Sequence, residues 1–133
     1  PVSAAAGATA TVYPLVVSGA GAFDVKVFVT NDCGASSYNR FVIAGSSNAN
    51  STGDYWSLNH IGGTSQNGAS TVDASSTRNS KFIHNPLSGG CGDGSNTTAL
   101  DYTLTVDMTG VLSVTNNGNI SRTYFITIEK AFD

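Results

Sequence analysis

The stretch LDYTLTVDMTGVLSVTNNGNISRTYFITIEK (residues 100–130) decides the fold class of this chain. Leu100, Tyr102, Leu104, Val106 and Met108 alternate with Asp101, Thr103, Thr105 and Asp107. Successive side chains of a strand point to opposite faces, so this period of two assigns the first set to a core and the second to water. Thr109-Gly110 turns the chain into Val111–Thr115, and Asn116-Asn117-Gly118-Asn119 offers residues that tolerate positive φ at a tight hairpin. From Ile120 to Phe132, Tyr124, Ile126 and Ile128 face one way, while Thr123, Phe125, Thr127 and Glu129 face the other. The C-terminal third is therefore predicted as a three-stranded meander, and Phe125 on the water-facing side hints at a covered or assembled surface.

Working outward, Phe23, Val25, Val27 and Val29 alternate with Asp24, Lys26, Phe28 and Thr30 in a second strong strand. Tyr13–Ser18 is interrupted by Pro14, which cannot donate to a ladder, and so fits an edge strand. Shorter strand candidates are Asn39–Ala44, Tyr55–Ile61 and Lys81–Asn85. Apolar groups at helical spacing are everywhere cut by Gly or Asn, which argues against helix. The pattern predicts an all-β, antiparallel two-sheet sandwich of jelly-roll type with about eight strands. At 133 residues the chain suits one core. Residues 1–10 read as an N-terminal arm or linker and residues 11–133 as a single sandwich domain. The polar segments Gly45–Asp54 and Gly62–Ser80 read as long loops, where recognition usually resides.

Composition narrows the function classes. Charged residues are 11%, well under the ordinary share, while Gly, Ser, Thr and Asn fill 59 of 133 positions. The polar surface is thus built of hydroxyls and amides, which suits work outside the cell or on a virion. With net charge −3 and basic residues scattered at Lys26, Arg40, Arg78, Lys81, Arg122 and Lys130, no stripe neutralises phosphates, so nucleic acid is a poor partner. The longest uncharged stretch, Pro1 to Ala22, is too polar to span a bilayer. Opening on Pro1 without a leader of secretory type, the sequence suggests processing or an upstream module.

Cys33 in NDCGAS and Cys91 in GGCGDG each read as part of a Gly/Ser/Asn-rich loop. A bridge between them would constrain the unfolded chain by roughly 4 kcal/mol on the chain-entropy account; two unpaired loop thiols are the alternative. The inventory for catalysis is thin: the histidines are His60 and His84, the single glutamate is Glu129, and no nucleophile, phosphate-binding or metalloprotease motif occurs. A grouping of His60, His84 and Asp54 as metal site or triad lacks ligand spacing, and Asp93, Asn96 and Asp101 lack that of a calcium loop. No cofactor or metal is expected, and the chain is read as non-enzymatic. Asp54-Tyr55-Trp56 follows a polar loop, and aromatic faces stack on sugar rings. Tyr55 and Trp56, with Asn48, Asn50 and Asn67, form the candidate glycan site, although a strand tryptophan in a sandwich more often fills the core. Three Asn-x-Ser/Thr sequons begin at Asn50, Asn96 and Asn119, as chance predicts in such a composition.

The terminal segment LDYTLTVDMTGVLSVTNNGNISRTYFITIEKAF, with its alternating strand, Gly turn, VLSVTNNG hairpin and Thr-rich final strand, resembles the C-terminal β-rich domains of bacteriophage tail fibres, tailspikes and related virion appendages. The likeness covers about residues 100 to 133, with no motif transferable residue by residue. It implies a non-enzymatic attachment or assembly role at a virion surface or outside the cell, as a trimer or higher homo-oligomer, with a host-surface glycan as the possible ligand. The alternatives are a capsid, decoration or filament subunit of jelly-roll type, with Phe28 and Phe125 packing against neighbouring copies, and a monomeric secreted carbohydrate-binding module.

Overall fold

The computed structural model describes residues 1–14, 20–31, 34, 36–46, 56–63, 68–74, 80–86, 98, 100–107 and 109–131. Among these residues there is no helix, and the strands are β1 (Val2–Ala4), β2 (Thr9–Pro14), β3 (Ala20–Thr30), β4 (Ser36–Ser46), β5 (Trp56–Gly63), β6 (Gly68–Ala74), β7 (Ser80–Pro86), β8 (Tyr102–Val106), β9 (Val111–Asn116) and β10 (Arg122–Lys130). They form two antiparallel five-stranded sheets, ordered β1-β10-β3-β4-β5 and β2-β9-β8-β7-β6. The expected two-sheet sandwich is therefore the fold. The strands beyond the expected eight are β1, inside the supposed arm, and β6, inside the supposed Gly62–Ser80 loop. Both were hidden by composition: VSA is too short to show a period, and GASTVDA carries a single large apolar residue.

Period-two burial builds the core from both sides. The first sheet contributes Phe23, Val25, Val27 and Val29 from β3, Phe41 and Ile43 from β4, Trp56 and Leu58 from β5, and Tyr124 from β10. The second supplies Phe82, Leu104, Val106, Leu112 and Val114, with Tyr102. Each such side chain, taken wholly from water, contributes about 1.5–3 kcal/mol. Phe41 and Phe82 meet edge-on across the sandwich at 4.7 Å, and Tyr102 meets Tyr124 at 5.7 Å, so aromatic pairs lock one sheet over the other.

The C-terminal segment departs from the predicted meander. β8 and β9 do form a hairpin: the Asp107 carboxylate accepts from Thr109 N (2.9 Å), Thr109 Oγ1 (2.7 Å) and Val111 N (3.0 Å), and Gly110 takes φ +83° to close the turn. After β9, however, the chain leaves the second sheet, and β10 pairs with β3 and β1 in the first. Alternation specifies that a face is buried and is silent about which sheet buries it, so a crossover reads like a hairpin. Nor are the connections those of a jelly roll with its two Greek keys. β3–β4–β5 and β6–β7–β8–β9 are uninterrupted meanders, each confined to one sheet. Proline in β2 lies on an edge strand, as its missing donor requires, but the strand begins at Thr9 rather than at Tyr13.

The crossover is held by Asn116, which is fully buried. Its Nδ2 donates to the carbonyls of Ala4 (3.0 Å) and Ile120 (2.8 Å), and its Oδ1 accepts from Gly118 N at 2.8 Å. Its backbone exchanges hydrogen bonds with Gly7 (2.8 Å) and Ala8 (2.9 Å). The side chain thereby ties β1 to the β9–β10 crossover, and the backbone of the same residue adds the β1–β2 turn. Asn116→Ala leaves those carbonyls and the Gly118 N–H without their partner, and the expected loss is about 3 kcal/mol of stability, read as a lowered urea midpoint; an unchanged midpoint would refute the clasp.

Candidate functional site

Two places gather chemistry: a polar cluster between the sheets and an aromatic row on the outside of the first sheet. The cluster arises because β4 continues its inward alternation, Ile43 and Phe41, into the polar Asn39 and Ser37. These meet His60 from β5 and His84 and Tyr102 from the second sheet. Asn39 Nδ2 donates to Tyr102 Oη at 2.9 Å and to Ser37 Oγ at 3.3 Å; Asn39 Oδ1 lies 3.0 Å from His60 Nε2, and Ser37 Oγ lies 2.6 Å from His84 Nε2. Since Asn39 Oδ1 can only accept, His60 carries its proton on Nε2. Ser37 Oγ accepts the Asn39 amide and keeps both a hydrogen and a second lone pair for its bond with His84 Nε2. The ring of Phe82 lies beside both imidazoles, its centroid 4.5 Å from that of His60 and 6.1 Å from that of His84.

This arrangement keeps the cluster neutral. Burial, with the nearby His60 as second cause, lowers the His84 pKa to about 4. Burial also lowers that of His60, opposed by a hydrogen bond with the Gly62 backbone, and raises that of the Tyr102 phenol, opposed by the Asn39 amide. The serine–histidine contact has the form of an activated nucleophile, but Ser37 is 1% exposed and His84 0%, which places the hydroxyl beyond the reach of a substrate. His60 and His84, whose grouping as a metal site or triad the sequence did not support, both join this hydrogen-bonded cluster, His60 through Asn39 and His84 through Ser37; Asp54 falls outside the described residues. Among the described residues no cluster of His, Cys, Asp and Glu suits a metal ion. Gly63 belongs to the same construction, because a Cβ there would collide with Asn39 Oδ1.

The outward face of the first sheet is different in kind. Phe125 on β10 pairs with Phe28 on β3, which pairs with Tyr38 on β4. The two phenyl rings lie 6.3 Å apart and are 50% and 37% exposed. By contrast, the second sheet's outer face carries Thr9, Thr115 and Thr103 in one row and Thr11, Ser113 and Thr105 in the next, with Thr9 and Thr115 hydrogen-bonded at 2.7 Å. These hydroxyl rows run across β2, β9 and β8 and end on β7 at Ile83 and Lys81, whereas aromatic rings interrupt the face of the first sheet.

Of the residues chosen from sequence, Phe28 and Phe125 are brought side by side on the surface. Trp56 is a core residue, 0% exposed and packed on Phe23 at 5.9 Å, so it presents no face to a sugar; the alternation Trp56, Leu58 along β5 turns it inward. Tyr55, Asn48, Asn50, Asn67, Cys33 and Cys91 fall outside the described residues. Sequence reading missed Ser37 and Asn39, whose signal was their place in the inward register of β4, and it missed Tyr38 as the third ring of the row. Comparison of the chain with protein-family models, with curated proteins and with solved structures gives no match.

The buried titrations fix a pH response. His84 is depressed in the fold, so between its ordinary value of 6.5 and about 4 the unfolded chain takes up a proton that the native state refuses. Stability is complete above the ordinary value and declines as pH falls through this window, by about 3 kcal/mol at most. Asp101, half-buried and raised by desolvation from 3.8 to about 6, works in the opposite sense, since the native state is protonated first. Urea midpoints across this window should therefore fall more steeply in Asp101→Asn than in the wild type, and less steeply in His84→Gln; identical profiles for all three would contradict the assignment.

Proposed function

We propose that this chain is a non-enzymatic assembly domain, of the attachment type found in virion appendages, that self-associates through the outer face of its first sheet. What carries the reading is the pairing of Phe28 with Phe125 on an otherwise hydroxyl-rich surface, where two large rings stand in water side by side. A single exposed apolar residue is ordinary, whereas a contiguous aromatic row on a flat sheet is the composition of an interface core. The buried state of Ser37 and His84 favours the same reading, since it leaves the nucleophile–base pair serving the fold. With Trp56 in the core, the aromatic weight of the surface shifts from a sugar platform to this row.

The test is light scattering coupled to size exclusion over a wide range of concentration. The wild type should associate, and Phe28→Ser with Phe125→Ser should weaken association at least about tenfold while leaving the β-sheet circular dichroism intact. A wild type that stays monomeric at every concentration would overturn the proposal.

A further inference from the structure

The outer face of the first sheet is striped, and the stripes follow from the register. Reading across β10, β3 and β4, Phe125, Phe28 and Tyr38 form an aromatic row. The next row is Thr127, Lys26 and Arg40, the one after it Glu129, Asp24 and Val42, and the last Ala131, Ala22 and Ala44. Adjacent rows stand about 6.8 Å apart, two strand residues. Within the protomer this pattern is unfavourable: Lys26 is directly opposite Arg40, and Asp24 is directly opposite Glu129, and like charges in that position repel. A sheet face made only for solvent would gain by exchanging one member of each pair.

Resting on the assembly reading above, we infer that the partner of this face is a second copy of the same chain, bound face to face about a twofold axis that crosses the strands. The axis runs at the level of Ile128, Val25 and Phe41, the inward-facing residues between the two charged rows. Each strand then lies over its own counterpart, so rotation lays Lys26 of one copy on Asp24 of the other, with Arg40 over Val42 and Thr127 over Glu129 one strand to either side. The same operation lays the aromatic row on the alanine row, so large side chains meet small ones. One symmetry element satisfies charge and shape together, as an isologous interface must. A twofold axis parallel to the strands instead sets Lys26 and Arg40 against their own kind. The charged residues therefore select the orientation, and the rings supply the burial.

Charge reversal on the full chain tests the register. Light scattering should find the wild type as a dimer. K26E/R40E, which presents two acidic rows, and D24K/E129K, which presents two basic rows, should each dissociate, with Kd raised at least about tenfold. Mixing these variants in equal amounts should restore a dimer, now a heterodimer. Variants that associate as the wild type does, a mixture that fails to recover, or a trimeric wild type would overturn the twofold register. If F28S/F125S alone abolishes association in those cases, self-assembly through the aromatic row stands and only the register falls; a wild type monomeric throughout removes both.

Discussion

The three hydrogen bonds that satisfy the Asn116 side chain set the rest of the molecule in place. By holding the crossover against the β1 end, they send β10 into the first sheet rather than beside β9. Only there does Phe125 come opposite Phe28, Thr127 opposite Lys26 and Glu129 opposite Asp24. The buried amide can do this because its donors and its acceptor are all used; a half-satisfied amide in the same position would oppose folding. The surface pattern is in this sense a product of one buried polar residue.

The second polar feature of the interior, the Ser37–Asn39–His60–His84–Tyr102 cluster, occupies space that a sandwich of this size would ordinarily fill with aliphatic side chains. Its bonds join β4 and β5 of one sheet to β7 and β8 of the other. Dispersion between aliphatic layers tolerates sliding, whereas a chain of directed hydrogen bonds does not, so the cluster fixes how one sheet sits over the other. Gly63 is tied to the same requirement, since its missing side chain is what lets the Asn39 carbonyl reach His60.

Strand positions and their buried faces were legible wherever alternation was clean, as in Phe23–Val29 and Tyr102–Val106. Sheet membership was not, because a buried face is the same whichever sheet supplies it; β10 is the case in point. Inward polar residues defeated the reading for a related reason. Ser37 and Asn39 continue the register of Phe41 and Ile43, yet polarity left Ser37 outside the predicted Asn39–Ala44 strand and gave Asn39 no place in the core. Trp56 shows the converse error, in which an aromatic residue next to a polar loop suggested a ligand platform while its own strand turned it inward. Phe28 and Phe125 were legible because they broke the pattern: each is a large ring at a position that alternation assigns to water.

The two meanders also bear on the order in which the chain acquires its structure. β3–β4–β5 and β6–β7–β8–β9 are closed by short-range contacts, which form early because little loop entropy is lost. The β10–β3 and β1–β10 ladders join regions remote in sequence, and belong to the final stage of condensation. The aromatic row depends on the first of these ladders, so a nascent or partly folded chain does not yet possess it. In the self-association proposed above, maturation of the tertiary structure acts as a gate that admits completed molecules alone.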